Sequence, residues 1–230
     1  MNTATAIAAL TLSAGIAAAS VVQIDFGDLN NQTGGNVNNI THLQNPLFNL
    51  VDTTGAGTGI GIDITDVFWP GSNTGGTNAP TGAASGIAAS ATADNLFGSV
   101  SEFGGFTEPT GGFVLSNLDA SGQTLYSFTF FGSRMNVNDN RWTKYDATGA
   151  NSGTASLNTS NNTDTLVTIS GIAADANGEI FIGVGADDRN DNSFGFYYLG
   201  YLEIETTPVP APGALAVLAG AGLLGARRRR

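Results

Sequence analysis

The chain alternates apolar and polar positions in short runs, a pattern typical of half-buried β-strands. The clearest runs cover residues 22–26 and 60–64, where Val, Ile or Phe occupies every second position. Further candidate strands lie at residues 112–115, 125–131, 166–170, 179–184 and 194–205. Asn177-Gly178 is a tight-turn signal between two of them. No stretch between residues 20 and 207 sustains a helical apolar stripe.

Seven or more short strands separated by turn residues predict an all-β fold. We expect one antiparallel β-sandwich over residues 20–207, with jelly-roll topology, flanked by an N-terminal signal helix and a C-terminal hydrophobic helix. Glycine accounts for 32 of 230 residues, about twice the usual frequency of roughly 7%. The uncharged segment 71–92 is the most extreme in small residues, and we expect it to be a long surface loop.

Residues 1–19 have the composition of a secretory signal peptide. An apolar, small-residue run extends from Ala4 to Ala19, and Ala17-Ala18-Ala19 provides small side chains for signal peptidase cleavage before Ser20. No Lys or Arg precedes this run. A structural helix is the alternative interpretation.

Residues 208–230 combine a proline spacer, an apolar run and a basic end. The spacer contains Pro208, Pro210 and Pro212, and the chain ends with Arg227, Arg228, Arg229 and Arg230. Between them, residues 213–226 would span roughly 21 Å as a helix, against a hydrocarbon core of about 30 Å. The arginines would stay on the cytoplasmic side, so we expect membrane contact only through this unprocessed tail. A short core helix or an exposed basic tail is the alternative.

The order of these three features resembles the PEP-CTERM protein-sorting signal of Gram-negative and related envelope-bearing bacteria. The motif position reads Val209-Pro210-Ala211-Pro212, without the family's central Glu. The resemblance implies recognition by an exosortase-type membrane transpeptidase and removal of the tail. It also implies delivery to the cell surface, the outer envelope or the extracellular matrix.

Charge and composition exclude several function classes. The formal net charge is −11, and without the four terminal arginines it becomes −15. Because Lys and Arg supply the main attraction to phosphate, this charge excludes nucleic acid as a partner. The absence of cysteine excludes disulfides and thiolate metal sites.

Enzymatic signatures are also missing from the sequence. The single histidine, His42, has no Gly-x-Ser-x-Gly elbow to accompany it and cannot form a histidine-based zinc site. We therefore expect a protein that is not an enzyme. A glycosidase built on paired carboxylates is the enzymatic alternative that stays open.

Residues 125–205 resemble galactose-binding-like and malectin-like β-sandwich modules of secreted bacterial proteins. The resemblance rests on Leu125-Tyr-Ser-Phe-Thr-Phe-Phe-Gly-Ser-Arg134, on Val167-Thr-Ile-Ser-Gly-Ile172 and on the closing stretch 195–204. It implies the fold and not an activity, because one fold hosts many functions.

Aromatic and basic residues in this stretch are candidates for binding sugars. Trp142 and Tyr145 could stack on the face of a pyranose ring; the alternative is packing against other side chains. Arg134, Arg141 and Lys144 could bind an acidic sugar or a carboxylate. Ion pairs with nearby acidic residues are the alternative for these cations.

The segment 187–192, Asp-Asp-Arg-Asn-Asp-Asn, concentrates oxygen ligands. Asp187, Asp188 and Asp191 could bind calcium, which takes about six to eight oxygen ligands. The spacing lacks the Gly and the closing Glu of an EF-hand loop. A solvated acidic loop is the alternative.

Together these features predict a secreted, surface-sorted, noncatalytic β-sandwich that binds carbohydrate or associates with exopolysaccharide. The expected partners are an exosortase-type enzyme, signal peptidase and a polysaccharide. A purely structural matrix or envelope protein without a specific ligand is the alternative function.

Overall fold

The computed structural model describes residues 20–42 and 46–209. Residues 1–19 of the predicted signal peptide and residues 210–230 of the predicted tail, with Pro210, Pro212 and Arg227–Arg230, lie outside the described residues. The strands of the described ranges are β1 (Val21–Phe26), β2 (Val37–Ile40), β3 (Gly61–Asp66), β4 (Ser72–Asn73), β5 (Asn95–Phe103), β6 (Phe106–Glu108), β7 (Thr110–Ser116), β8 (Thr124–Phe131), β9 (Trp142–Thr148), β10 (Ser152–Asn158), β11 (Val167–Ile172), β12 (Ile180–Ala186), β13 (Tyr197–Leu199) and β14 (Tyr201–Pro208). A 3₁₀ turn at Gly82–Gly86 and the helix α1 at Ala89–Ala93 separate β4 from β5.

Ten strands form two five-stranded sheets. Sheet A has the order β11-β8-β14-β1-β2, and sheet B has the order β10-β9-β12-β7-β3. Neighbouring strands are antiparallel except for the pair β1 and β2. The order β1-β14-β8-β11 in one sheet and β7-β12-β9-β10 in the other is the strand order of a jelly roll.

One core lies between the two sheets. On β1, Val22, Ile24 and Phe26 point inward and are at most 1% exposed, as their alternation predicts. Rings from opposite sheets meet there. The Phe26 and Phe113 centroids are 5.3 Å apart, and those of Phe130 and Tyr145 are 4.4 Å apart in a stacked pair. This packing confirms the predicted β-sandwich.

Residues 82–93, which we call the cover segment, pack over one end of the outer face of sheet A. Ala84 and Ala91 of this segment are buried in one cluster with Phe131 and Tyr201. Those two aromatic residues lie opposite each other on β8 and β14. The prediction that residues 71–92 form a surface loop is therefore wrong in this part, because small alanine side chains allow the backbone to pack closely on the aromatic rings.

A third, smaller sheet has the order β13-β5-β4, with β6 paired to the outer half of β5. The first half of β5 is buried, whereas its last four residues are exposed. This sheet carries a cluster of aromatic side chains described below.

Two further predictions concern a turn and a proline. The turn at Asn177-Gly178 is confirmed, since Gly178 has a φ of 75° and its amide donates to the Asp175 carbonyl oxygen at 3.0 Å. Pro208, which we predicted to begin the sorting signal, pairs with Thr124 at the end of β14. A proline is tolerated there because a strand end needs no further backbone donor.

No helix in residues 20–42 and 46–209 is long and apolar enough to cross a membrane. The predicted signal helix and hydrophobic tail helix fall outside these ranges.

Candidate functional site

The outer face of sheet B carries a groove whose floor is made by glycine. Side chains alternate along β12, so Ile180, Ile182 and Val184 face the core while Phe181, Gly183 and Gly185 face outward. In register, Gly183 lies between Gly112 of β7 and Asp146 of β9. The central strands therefore lack outward side chains along part of the face.

The ring of Phe181 lies along this glycine floor. A Cβ atom on Gly112 would come within 2.8 Å of Phe181 Cζ, and one on Gly183 would come within 3.2 Å of Phe181 Cε1. Phe181 is nevertheless 38% exposed. A ring that lies down on the sheet presents one face to solvent, and such a face suits stacking contacts with a flat apolar partner.

Polar side chains border the floor. The depression on one side of Phe181 has a volume of about 280 Å³ and is lined by Asp66, Thr110, Lys144 and Asp146, among others. Lys144 and Asp146 lie two residues apart on β9, and Lys144 Nζ is 3.1 Å from Asp146 Oδ2. Both side chains are more than 40% exposed, so water weakens the ion pair and leaves the two groups free to exchange partners.

A second depression lies on the other side of the ring. It has a volume of about 230 Å³ and is lined in part by Val114, Asp175 and Glu179. Phe181 and Thr148 line both depressions. We call the two depressions together the sheet B groove. In this groove, one apolar ring lies between two sets of polar side chains, so the ring can contact one face of a sugar and the polar groups can contact its hydroxyls.

Trp142 lies on the same outer face, at the start of β9. From Trp142 to Thr148 the strand runs about 20 Å at about 3.3 Å per residue. The Arg189 guanidinium carbon is 3.8 Å from the centroid of the Trp142 ring, and Arg189 is held there by Asp187, with Nε to Oδ1 at 2.7 Å. The ring is therefore half-buried beneath a cation.

Tyr145 is not available to a ligand. It faces the core, is 0% exposed and stacks on Phe130. Its hydroxyl donates to the Tyr198 carbonyl oxygen at 2.8 Å, and burial raises the pKa of the phenol. The prediction that Tyr145 binds sugar is wrong because odd-numbered residues of β9 point inward.

Arg141 is committed to internal contacts. Only 12% of its side chain is exposed, and its Nε is 2.9 Å from Asp139 Oδ1. The guanidinium also bonds the Tyr198 hydroxyl and lies 5.2 Å from the centroid of Phe196. These contacts hold the pKa of Asp139 below its usual range. They fit the local ion pair that was the alternative to sugar binding.

Arg134 lies away from the groove. Its backbone bridges to Ser160, and its guanidinium occupies space that a side chain on Gly75 would need. Its Nε is buried without a hydrogen-bond partner in the described residues. Trp142, Tyr145, Arg134 and Arg141 therefore do not converge on one exposed face.

The carboxylates of the acidic loop are already used by the protein. Both Asp187 oxygens accept hydrogen bonds from Arg189, which together with Ser156 holds the pKa of Asp187 far below its usual range. Both Asp191 oxygens accept from Asn140, at 2.6 and 2.8 Å. Across the described part of the chain, no group of three His, Cys, Asp or Glu side chains is placed to bind a metal. A solvated acidic loop, tied by Arg189 from within it and by Asn140 and Ser156 from outside it, fits this geometry, and Asp188 lies in the same loop.

A second exposed feature is an aromatic surface on the third sheet. Phe103, Phe106 and Phe194 are 37%, 45% and 38% exposed. Phe103 packs edge-on against Phe196 with centroids 4.9 Å apart. Trp69 stacks on Phe97 at 4.9 Å beneath them. We use the name aromatic surface for Phe103, Phe106 and Phe194.

Comparison with known proteins leaves the family open. No protein-family model matches the chain, and no curated protein matches it. Among solved structures, the chain is similar to TmCBM61, a carbohydrate-binding module determined in complex with β-1,4-galactotriose. The identity is 15%, the match covers 50% of this chain and 69% of that chain, and the TM-score is 0.26. A likeness at this level does not assign a ligand or a site.

Sequence reasoning missed the sheet B groove. The signal was present as Phe181-Ile-Gly183-Val-Gly185, in which one aromatic residue and two glycines share the polar phase of a strand. Only the register, which sets Gly112 beside Gly183, shows that the glycines form a continuous floor.

Proposed function

We propose that the protein is a noncatalytic carbohydrate-binding β-sandwich that uses the sheet B groove. The observation that carries this proposal is the half-exposed Phe181 ring lying on glycine between two polar depressions. A sugar ring has an apolar face and a rim of hydroxyl groups. Phe181 meets the first requirement, and Thr110, Thr148 and Asp146 supply hydrogen-bonding atoms for the second.

The noncatalytic part of the proposal rests on the sequence, which carries no hydrolase elbow and no histidine-based zinc site. Four carboxylates line the groove, Asp66 and Asp146 on one side of Phe181 and Asp175 and Glu179 on the other. A glycosidase built on a carboxylate pair is therefore the enzymatic alternative. We propose a site that retains sugars without cleaving them, and release of shorter sugars from a bound oligosaccharide would contradict it.

A glycan array with the purified protein tests the proposal. The decisive variant is Phe181→Ala, and the matched control is Phe194→Ala, because both rings are 38% exposed. Loss of one stacking contact, about 1 kcal/mol, predicts binding weaker by about fivefold in Phe181→Ala and unchanged in Phe194→Ala. If Phe194→Ala loses binding and Phe181→Ala keeps it, the site lies on the aromatic surface instead.

Structural association is the second candidate function, and the aromatic surface favours it. Three exposed phenylalanines, at the end of β5, at the start of β6 and in the loop before β13, form an apolar patch of the kind that marks contact sites. We propose that Phe106→Ser, which removes the most exposed ring, lowers self-association measured by light scattering. An unchanged mass at all concentrations would remove this candidate.

We also propose that the protein acts at the bacterial surface or in the extracellular matrix. The proline spacer, apolar run and arginine end support export and sorting to the bacterial surface or matrix. Mass spectrometry of surface-delivered protein tests it. We expect a C-terminus upstream of residue 213, and an intact Arg230 on that protein would contradict sorting by tail removal.

A further inference from the structure

Two aspartates are buried beneath the cover segment with half of their oxygens unpaired. Asp25 of β1 is 2% exposed, and Asp94, directly after α1, is 1% exposed. Asp25 Oδ2 accepts from the Thr33 hydroxyl at 2.7 Å and from the Thr33 amide at 3.1 Å. Asp94 Oδ2 accepts from the Asp28 amide at 2.8 Å. In the described residues, Oδ1 of both aspartates is buried and has no hydrogen-bond partner.

The two unpaired oxygens lie over the same strand. Asp25 is opposite Tyr201 in register, and Tyr201 packs against the cover segment, so Asp25 points to the covered face of sheet A. Gly27, two residues further, points to the same face. A Cβ on Gly27 would overlap the Asp94 carboxylate, with Oδ1 the nearest atom. Asp94 Oδ1 therefore lies above Gly27, two residues along the chain from Asp25 and on the same face.

No cationic side chain compensates these charges in the described residues. The ion pairs there are Arg141 with Asp139, Lys144 with Asp146 and Arg189 with Asp187. A buried carboxylate without a partner costs several kcal/mol, and two neighbours cost more. Burial raises the pKa of Asp25 to about 6, and the negative charge of Asp94 adds to the rise. The arrangement calls for a positive charge between the two carboxylates.

We propose that Asp25 and Asp94 bind one divalent cation of the calcium class, which ties β1 to the cover segment. Two carboxylates neutralise the ion, and neutral oxygens complete its coordination. Among such groups, the Thr33 hydroxyl is 2.7 Å from the Ser90 hydroxyl, and Asn31 reaches the Ser90 carbonyl oxygen at 3.0 Å. An oxygen-only environment selects hard cations over zinc or copper. This site is independent of the groove and acts on stability.

Thermal unfolding with calcium and with EDTA tests the proposal. Saturation at about one hundred times Kd stabilises by about 2.7 kcal/mol, which for a domain of this size raises the melting temperature by about 5 to 10 °C. We expect this rise in the wild type and in the control Asp188→Asn, whose side chain lies in the acidic loop. Asp25→Asn and Asp94→Asn should abolish it. Equal melting temperatures of the wild type in calcium and EDTA would overturn the proposal.

A second measurement covers the case in which the asparagine variants do not fold. Calorimetric titration of the wild type with calcium should give one ion per chain. Tb³⁺ bound at the site should show luminescence sensitised by the neighbouring Tyr201, and calcium should displace it. No heat and no luminescence would overturn the proposal, and so would a calcium-dependent rise that Asp25→Asn retains.

Discussion

The outer faces of the two sheets differ in what lies over them. On sheet A, the cover segment packs Ala84 and Ala91 onto Phe131 and Tyr201, which closes this end of the face. On sheet B, the glycines beside Phe181 leave the face open and grooved. The same alternation of strands thus supplies a stabilising layer on one side and an accessible surface on the other. An aromatic residue at an outward position of this sandwich is therefore buried or exposed depending on whether another segment packs over it.

Truncating one phenylalanine on each face gives the largest expected effect. Phe131→Ala removes a fully buried ring from the covered face and should lower the free energy of unfolding by about 3–5 kcal/mol. Phe181→Ala removes a 38% exposed ring from the open face and should cost less than about 1.5 kcal/mol, since much of that ring is already in water. Urea denaturation measures both. Equal losses would show that the open face is as important to stability as the covered one.

Substituting glycine on the open face is expected to have an intermediate effect on stability and on glycan binding. A Cβ on Gly112 would lie 2.7 Å from the Ile182 carbonyl oxygen as well as close to the Phe181 ring. Gly112→Ala should therefore cost about 1–3 kcal/mol of stability and also weaken glycan binding by displacing the ring. In Gly34→Ala, the control, no atom lies within 4 Å of the added Cβ and the residue does not line the groove, so both quantities should stay unchanged. If Gly34→Ala weakens binding as much as Gly112→Ala does, the loss does not come from displacing the Phe181 ring.

The smallest effect concerns pH and the loop beside Trp142. Arg189 and Ser156 lower the pKa of Asp187 in the folded protein. The ionised carboxylate therefore stabilises the folded state relative to the unfolded state. This stabilisation is fully present above the ordinary aspartate pKa of about 3.8 and is lost as pH falls through the lower folded value. Asp187→Asn and Arg189→Gln should each reduce the loss of stability below pH 4, measured by acid titration of unfolding. If Arg189→Gln leaves the acid loss intact, the guanidinium is not the main cause.

The sequence predicted the strands whose inward positions are strongly apolar. β1, with Val22, Ile24 and Phe26 inward, is an example. It did not predict β9. The inward positions of that strand are Thr143, Tyr145 and Ala147, and such a mixture does not form a recognisable alternation of apolar residues. The misassignment of Tyr145 as a sugar contact follows from the same gap, since without the strand its inward direction was unknown.

The two candidate sites escaped prediction for a related reason. Asp25 occupies the polar phase of β1, and polar-phase residues are expected to face solvent. It is buried because Thr33 of the following loop bonds its carboxylate and in turn contacts Ser90 of the cover segment, which is far away in sequence. Phe181 and Gly112 come from strands that are separated by 69 positions in sequence but adjacent in sheet B. The alternation of residues shows which side chains of a strand share a face. It does not show which strand lies beside it or which segment packs over that face.

We propose that the open face of sheet B is the ligand-binding face. Amide chemical shifts in a ¹⁵N-labelled sample, titrated with a neutral oligosaccharide retained on the glycan array, test this most directly. We predict saturable shifts at Gly112, Gly183 and Thr148 and none at Gly104 or Gly195, which lie beside the aromatic surface. Shifts confined to Gly104 and Gly195, or no shifts at millimolar sugar, would contradict the account.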